Sequence, residues 1–270
     1  MSSRKEKTRL DELLVSRGLV DSRNQARSII MAGDVLVEDR PVTKAGTAIK
    51  RDALIRIRPR KRFVSRGGDK LAGALDDLKL CVNGLNVLDI GASTGGFVDC
   101  LLKEGAAAVC ACDVGYGQLA WKLRCDSRVH VLDRVNARNL ELSMLPWVPD
   151  LVTCDVSFIS LTLLLKPIRS VLPASGQALL MVKPQFEVGK GMVGKGGVVR
   201  DRHLREQAVE TVILNGIEHG FIPLGIISSQ VTGPAGNHEC FVLLGVSTGS
   251  SEPGEKERRE NWRPWLAKVL

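Results

Sequence analysis

The sequence predicts an α/β fold in which a mostly parallel, seven-stranded sheet with helices on both faces follows a small α+β domain. Three observations support this prediction. Apolar runs rich in β-branched residues alternate with amphipathic helical segments through residues 69–247. A glycine-rich turn, residues 91–97, joins the first of these strands to a helix. The excess of positive charge lies in the first quarter of the chain.

Charge divides the chain into two parts. Residues 1–66 hold 17 Lys and Arg against 8 Asp and Glu, a net charge of +9, whereas residues 67–270 hold 21 against 22, a net charge of −1. This division predicts that the first part binds a polyanion while the rest has another task. We place the first domain at residues 1–60, a linker at 61–68, the α/β domain at 69–247, and a polar tail with a short final helix at 248–270.

Composition favours a cytoplasmic protein. No apolar run approaches the ~20 residues that span a bilayer, and the start, Met-Ser-Ser-Arg-Lys-Glu-Lys, has no apolar core behind it. A pore-forming toxin would need a membrane-spanning segment or a secretion signal, so we expect no membrane partner.

The seven cysteines are odd in number and contain no Cys-x-x-Cys pair. We therefore expect them to be reduced and buried, with neither a metal site nor disulfides.

The first domain shows signals for two short helices and two strands. Arg9–Gly18 and Ser22–Gly33 are the helical segments, and residues 35–37 and 54–57 are the strand signals. Arg23 and Arg27 are one helical turn apart and therefore project from one face. Together with Arg9 they are candidates to bind successive phosphates of RNA. The alternative is an ordinary solvated face.

Five short motifs in this domain resemble the small RNA-binding domain first recognised in a ribosomal small-subunit protein and shared by pseudouridine synthases. The motifs are Arg9-Leu-Asp, Arg17-Gly-Leu, Ser22-Arg-x-x-Ala-Arg27, Ala32-Gly-Asp-Val35 and Asp52-x-Leu-Ile55. The chain departs from this family at Glu38-Asp39-Arg40, where members usually have an Asn-Gly turn. We expect a different turn geometry there.

The turn after strand 86–90 predicts a nucleotide site. Gly91, Gly95 and Gly96 stand where backbone approaches a ligand closely, but Ser93 replaces the second glycine that a pyrophosphate requires. Asp113, at the end of the next strand, can accept hydrogen bonds from ribose hydroxyls. These features favour S-adenosylmethionine; the alternative is a strand–turn–helix without a ligand. The candidate cofactor-binding residues are Asp89, Gly91, Ala92, Ser93, Thr94, Gly95, Gly96, Phe97, Asp113, Asn136 and Asp155.

Four charged residues are candidates for catalysis: Lys70, Asp155, Lys183 and Glu239. Lys70 begins an amphipathic helix, and the other three lie at strand termini, where ligands of parallel sheets bind. Methyl transfer to a ribose hydroxyl needs in-line approach and removal of a proton. We assign Lys183 as the base that removes this proton. Asp155 would hold Lys183 in place, and Lys70 and Glu239 would position the ribose. Two ordinary ion pairs at a pocket edge are the alternative.

Other methyl-transfer chemistries leave marks that are missing here. Methylation of an exocyclic base amine usually uses an Asn/Asp-Pro-Pro-aromatic turn, whereas this chain has Asp155-Val-Ser-Phe158. Carbon-5 cytosine methylation uses a cysteine in a loop, and Cys154 lies within an apolar strand.

Residues 189–197, the glycine-rich segment, are predicted to form a mobile lid. Its Lys190 and Lys195, with Arg66 in the linker, are further candidates to contact RNA.

The order Lys, Asp, Lys, Glu resembles that of the FtsJ-like ribose 2′-O-methyltransferases. The combination with the first domain resembles the TlyA family specifically, through Val64–Leu71, Leu88–Phe97, Asp155–Ser160, Val182–Glu187 and Gly236-Asn-x-Glu239. The resemblance implies a Rossmann-like S-adenosylmethionine-dependent methyltransferase that modifies cytidine riboses of ribosomal RNA in ribosomal subunits. It also implies an effect on sensitivity to cyclic-peptide antibiotics.

Two rival functions remain from the sequence. The methyltransferase fold could be vestigial in a non-catalytic RNA-binding or ribosome-assembly factor, although all four charged residues and the glycine turn are intact. Members of the family are also often called haemolysins, and this name suggests a cytolysin as the second alternative.

Overall fold

The computed structural model describes residues 7–58, 62–233, 235–247, 257 and 261–269, apart from the side chains of three of them, Lys190, Lys268 and Val269. Residues 1–61 and 62–270 form two separate compact units. Each unit is described by itself. Most of the predicted polar tail, residues 248–256 and 258–260, lies outside the described residues.

The first unit contains two helices beside short antiparallel strands. Strand β2 pairs with β3 and β5, and β1 pairs with β4. A small core of Leu10, Leu14, Ala26, Ile30 and Val35 lies between the helices and strands. The elements are β1 (Lys7–Arg9), α1 (Leu10–Ser16), α2 (Arg23–Met31), β2 (Val35–Val37), β3 (Arg40–Pro41), β4 (Ala48–Lys50) and β5 (Ile55–Ile57).

The turn between β2 and β3 corrects the prediction made for Glu38-Asp39. Both residues have positive φ, 50° and 60°, and the strands pair directly on either side of them. This is the two-residue turn that Asn-Gly usually forms, so a different geometry was the wrong expectation. Contacts to a distant segment offset the strain of two non-glycine residues. Glu38 Oε1 accepts from the Leu54 amide at 2.9 Å, and Asp39 pairs with Arg56 at 3.3 Å.

The second unit is built on one seven-stranded sheet. Its helices and strands are α3 (Arg66–Leu78), β6 (Asn86–Ile90), α4 (Gly96–Lys103), β7 (Ala108–Asp113), α5 (Trp121–Arg124), β8 (Val129–Asp133), β9 (Leu151–Cys154), α6 (Thr162–Val171), β10 (Gln177–Val182), α7 (Pro184–Glu187), α8 (Arg202–Glu218), β11 (Phe221–Ser228), β12 (Cys240–Val246) and α9 (Arg263–Val269). The strand order is β11-β12-β10-β9-β6-β7-β8. β12 runs antiparallel to both β10 and β11, and the other pairs of neighbouring strands are parallel, which confirms the predicted mostly parallel sheet.

Helices cover both faces of this sheet, as predicted. Leu88 and Ile90 of β6 face the apolar side chains of α6 and α8, whereas Val87 faces those of α3 and α4. Alternation along β6 therefore places Asp89 on the α3 and α4 side. Backbone contact there is close, because a Cβ on Gly96 would lie 2.9 Å from the Gly68 amide nitrogen. Glycines at both positions let α3 pack against the helix that follows the glycine turn.

The cysteines are free, but the expectation that they are buried is wrong for two of them. Cys81 and Cys125 are exposed, while the other five are buried. Both exposed residues lie just beyond helix ends, where sequence pattern does not determine burial. Within the described parts of the chain, no group of three or more His, Cys, Asp and Glu is arranged to hold a metal ion.

Among the helices that the structure describes, none combines the length and the apolar composition that crossing a membrane requires.

Candidate active site

The carboxyl ends of β6, β7, β8 and β9 surround a cavity of about 490 Å³. This is the edge where parallel sheets bind their ligands. The cavity is lined by Ile90, Gly91, Ser93, Cys112, Asp113, Val114, Gln118, Val135, Asn136, Ala137, Arg138, Asp155, Val156, Ser157, Phe158, Ile159 and Leu164. Five predicted cofactor-binding residues, Gly91, Ser93, Asp113, Asn136 and Asp155, are therefore brought together at one cavity.

The backbone of Asp155 comes so close to residue 91 that a glycine is needed there. Its φ is +82°, and a Cβ at this position would lie 2.7 Å from the carbonyl oxygen of Asp155. A side chain would separate the end of β6 from the end of β9. The turn and Asp155 can therefore line one cavity only because residue 91 is glycine.

Asp113 fixes the glycine turn as well as lining the cavity. Ser93, which stands in place of a glycine, has a positive φ of 48°. Its amide donates to Asp113 Oδ2 at 2.8 Å, and the Gly115 amide donates to Oδ1 at 2.7 Å. These bonds offset the strain at Ser93 and hold the carboxylate at the cavity wall, where each oxygen keeps a further lone pair.

We expect Asp113→Ala to weaken S-adenosylmethionine binding by on the order of 1.5–3 kcal/mol, because hydrogen bonds to a charged acceptor are lost. Calorimetric titration measures this difference. Asp133→Ala is the matched control, since Asp133 lies opposite Asp113 on β8 but does not line the cavity. Equal affinities for wild type and Asp113→Ala would remove Asp113 from the site.

Six predicted cofactor-binding residues do not line the cavity. Gly95 lies against Leu119 and Leu123, and Phe97 stacks on Phe241 at 6.1 Å. The residues concerned are Asp89, Ala92, Thr94, Gly95, Gly96 and Phe97. Except for Asp89, they shape the turn and its helix.

Asp89 is buried beneath the turn. Thr153 Oγ1 donates to its Oδ1 at 2.7 Å, while Oδ2 has no hydrogen-bond partner among the described residues. Burial, together with the charges of Asp155 and Asp113, raises the pKa of Asp89 to about 7, although the Thr153 bond acts in the opposite direction. Because the unfolded carboxyl titrates near 4, the folded chain binds more protons between about pH 4 and 7.

This carboxyl should make the protein less stable as pH rises through that window. Asp89→Asn, which cannot titrate, should raise the melting temperature more at pH 8 than at pH 5. The difference in unfolding free energy should be on the order of 2–4 kcal/mol at pH 8. Thermal melts of both proteins at both pH values measure it. The same offset at pH 5 and pH 8 would show that Asp89 does not titrate in this way.

Lys183 forms an ion pair with Asp155 at the rim of the cavity, which Asp155 lines and Lys183 itself does not. Lys183 Nζ lies 2.5 Å from Asp155 Oδ1 and donates to Ser157 Oγ at 3.0 Å. Asp155 follows β9 and Lys183 follows β10, and these two strands are parallel neighbours. The structure thus holds the Lys183 ammonium between a carboxylate and a hydroxyl.

Lys70 and Glu239 form a second ion pair, which is almost completely buried. Lys70 Nζ of α3 donates to Glu239 Oε2 and lies 3.9 Å from Met181 Sδ. Val182 pairs with Cys240 in the sheet, so continuing that register by one residue places Lys183 opposite Glu239. The two ion pairs therefore lie near each other, where β10 ends and β12 begins.

Glu187 ties together the loops that carry Asp155 and Lys183. Its carboxylate accepts from Ser160 Oγ at 2.5 Å and from the Leu161 amide at 2.9 Å, next to the start of α6. Burial raises the pKa of Glu187 above its usual range. Because one carboxyl joins both loops, their relative position is fixed.

Two residues of the rim could not be recognised as site residues from the sequence. Ser157 contacts Lys183, and Phe158 is 92% exposed with a positive φ of 65°, which is strained for an aromatic residue. The Phe158 ring packs on Phe186 at 5.1 Å. Ser157 and Phe158 lie within Asp155–Ser160, so their place next to a motif was the only signal.

The predicted RNA-contacting residues fall into separate groups. Arg9, Arg23 and Arg27 gather around Asp11 in the first unit. In the second unit, Arg66 is exposed and donates to the Thr232 carbonyl at 2.6 Å, and Lys195 is exposed. The Lys190 side chain lies outside the described residues.

The glycine-rich segment is anchored at one end. Asn237 Nδ2 donates to the Gly197 carbonyl at 2.8 Å, and Asn237 Oδ1 accepts from the Val199 amide at 3.0 Å. Asn237 is buried two residues before Glu239. The end of the predicted lid is thus linked to the strand that carries Glu239; its mobility stays a prediction.

Both units of the chain match known protein families. The FtsJ-like methyltransferase family matches residues 63–246, and the S4 domain family matches residues 8–55. A Mycobacterium tuberculosis protein named 16S/23S rRNA (cytidine-2′-O)-methyltransferase TlyA is 45% identical over 90% of this chain and 91% of its own. Hemolysin A of Brachyspira hyodysenteriae is 41% identical over 86% and 97%.

A solved structure agrees in fold and in length. It is of a Streptococcus thermophilus protein that is 36% identical, has a TM-score of 0.71, and covers 98% of this chain and 96% of its own. The chain belongs to the TlyA family of FtsJ-like methyltransferases with an amino-terminal S4 domain.

Proposed function

We propose that this enzyme transfers a methyl group from S-adenosylmethionine to the 2′-hydroxyl of cytidine in ribosomal RNA, in the cytoplasm. The observation that carries the proposal is the placement of Lys183, which pairs with Asp155 at 2.5 Å at the rim of the cavity. A relative that is 45% identical is named for the same reaction.

The cavity lining fits S-adenosylmethionine. Asp113 offers a carboxylate for ribose hydroxyls, and Asn136 offers an amide beside apolar side chains such as Val135 and Ile159. The turn at Gly91 packs directly against the Asp155 backbone because no Cβ stands there. When bound, this cofactor supplies an electrophilic methyl group on a positively charged sulfur.

Lys183 has the role of orienting the ribose hydroxyl and, once its ammonium has passed one proton to the Asp155 carboxylate or to water, of taking the hydroxyl proton as a neutral amine. A hydroxyl is a poor nucleophile until its proton is partly removed, and a base at hydrogen-bond distance contributes to this. Asp155 and Ser157 hold Nζ from two sides, which fixes its direction at the rim. Held in this way, Nζ can orient one hydroxyl for in-line attack.

Lys70 and Glu239 stabilise the wall next to this lysine. Their ion pair is almost completely buried, so removing one partner would leave an uncompensated charge in the protein interior. The pair is positioned to set the local field and the place of the ribose, because it lies where β10 ends and β12 begins.

Phe158 is suited to bind the nucleobase. Its ring is exposed at the cavity rim and held in a strained backbone conformation, which is typical of functional sites. Aromatic rings stack on unstacked bases in sequence-specific RNA recognition.

Methyl mapping tests this proposal. Purified protein is incubated with S-adenosylmethionine and with isolated 30S or 50S ribosomal subunits, and the RNA is then partly hydrolysed in alkali. A 2′-O-methyl group blocks cleavage at its own nucleotide, so we expect a new gap in the ladder at a cytidine. Unchanged ladders from both subunits, with cofactor binding intact by calorimetry, would favour a non-catalytic assembly factor.

The same proposal extends to antibiotic sensitivity. Methylation of a ribose in a drug site changes the surface that a cyclic-peptide antibiotic contacts. Growth inhibition by such an antibiotic should therefore differ between cells with the intact gene and cells with a Lys183→Ala gene. Equal inhibition would leave methylation without an effect on the drug.

A further inference from the structure

The three arginines of the first unit share one buried carboxylate. Asp11, in the first turn of α1, has no exposed side-chain surface, whereas the side chains of Arg9, Arg23 and Arg27 are each about half exposed. Arg9 binds both oxygens of Asp11 at 3.0 Å. Arg27 Nε donates to Oδ2 at 3.4 Å, and an Arg23 nitrogen lies 3.6 Å from the same oxygen.

We propose that Asp11 is a positioning residue that holds these three guanidinium groups as one preformed phosphate-binding unit for RNA. This inference rests on the proposed function and concerns how the substrate RNA is bound. The guanidinium groups come from two elements, since Arg9 ends β1 while Arg23 and Arg27 lie on α2. Asp11 on α1 is the group that they have in common.

The geometry explains why a negative charge improves binding to a polyanion. A long arginine side chain loses conformational entropy when it is fixed on a phosphate. Hydrogen bonds to Asp11 have already fixed part of the Arg9 and Arg27 side chains in the free protein, and its charge attracts Arg23, so less entropy remains to be lost. Each guanidinium carries five N–H donors, and those not used by Asp11 remain for phosphate oxygens.

The contacts also show that Asp11 is fully ionised. Hydrogen bonds and charge from Arg9 hold the pKa of Asp11 at about 2, and Arg27 and Arg23 act in the same direction. The carboxylate therefore stays negative at any working pH.

Glu12 provides a matched control. It lies next to Asp11, is 42% exposed, and contacts Arg23 at 3.0 Å and Arg9 at 3.8 Å. Asp11→Asn and Glu12→Gln each raise the net charge by one and change shape very little. Simple electrostatic attraction predicts that both variants bind RNA more tightly.

The proposal predicts opposite signs for the two variants. Asp11→Asn should bind 30S or 50S subunits about tenfold more weakly, the scale of one charge-assisted hydrogen bond. The dependence of log Kd on log salt should become shallower by about one unit, as one phosphate contact is lost. Glu12→Gln should bind equally well or more tightly with the same salt slope. Binding by Asp11→Asn as tight as that of wild type would overturn the proposal.

Two further measurements separate positioning from folding. Affinities are compared per folded molecule, with the folded fraction taken from melts at the assay temperature. In the wild-type chain without RNA, the Nε–H groups of Arg9 and Arg27 should be ordered by NMR relaxation, unlike that of the exposed Arg40. Equal mobility at all three arginines would also overturn the proposal, even if Asp11→Asn failed to fold.

Failure of the proposed function has a different result. In that case the wild-type chain does not methylate either subunit, whatever the affinities of its Asp11 variants. Methylation by wild type together with unchanged binding by Asp11→Asn rejects the positioning role alone.

Discussion

Replacing Lys183 with alanine is expected to lower the single-turnover rate of RNA methylation by roughly 10²–10⁴-fold, the range for a positioned acid or base. Fold, cofactor affinity and RNA affinity should be retained, because Lys183 lies at the rim of the cavity and its Nζ contacts only Asp155 and Ser157 among the hydrogen bonds and ion pairs described. Rapid-quench methylation, calorimetry and thermal melts measure these quantities separately.

Lys183→Arg decides whether the lysine is a base or an ion-pair partner. A guanidinium does not give up its proton near neutral pH, and its planar fork differs in shape from an ammonium. As a base, Lys183 cannot be replaced by arginine, and the rate should stay close to that of the alanine variant. If Lys183 is only an ion-pair partner of Asp155, arginine can replace it and the rate should stay close to that of wild type. An active Lys183→Arg enzyme would therefore contradict the assignment, and Ser157→Ala, which leaves the ion pair intact, should lose less activity than either variant.

Deleting residues 1–60 is expected to abolish methylation of ribosomal RNA while leaving cofactor binding nearly unchanged. The cavity that would hold the cofactor is lined entirely by residues 90–164, all in the second unit. The arginine cluster lies entirely in the first unit. Calorimetry and methylation of isolated subunits measure the two effects on the same protein.

Salt dependence should distinguish the full chain from the truncated one. Phosphate contacts release counterions, so RNA binding by the full chain should weaken steeply between low and moderate salt. The truncated chain should bind weakly with a much shallower slope. Normal rates of modification by the truncated enzyme would show that the S4 domain does not anchor the substrate.

The parts predictable from the sequence were those with strong local patterns. Strands β10 and β12, Gln177–Val182 and Cys240–Val246, are continuous apolar runs, the pattern typical of strands that are buried on both faces. Gly91 could be recognised because close backbone approach requires glycine. The turn at Gly91 could be expected beside Asp113 and Asp155, because the parallel strands that precede all three end at one edge of the sheet.

The remaining features depend on contacts between distant residues. The Glu38-Asp39 turn is stabilised by Leu54 and Arg56, which no turn pattern includes. Asp89 follows the pattern of a ligand-binding acid, but strand alternation turns its side chain away from the cavity. Phe158 acquires its exposure from an unusual φ, which its residue type disfavours.

The position of β12 limits the order in which the enzyme can assemble on the ribosome. β12 lies between β10 and β11 in the sheet but follows both in sequence. A nascent chain can form the Lys183–Asp155 pair once β9 and β10 are made, yet β11 has no strand to pair with until β12 is inserted. Glu239 arrives with β12 and must reach Lys70 across 169 residues, a contact that topology makes slow. Translation therefore finishes the two halves of the catalytic site at different times, and Lys70 lacks its Glu239 partner until the last strand enters the sheet between β10 and β11.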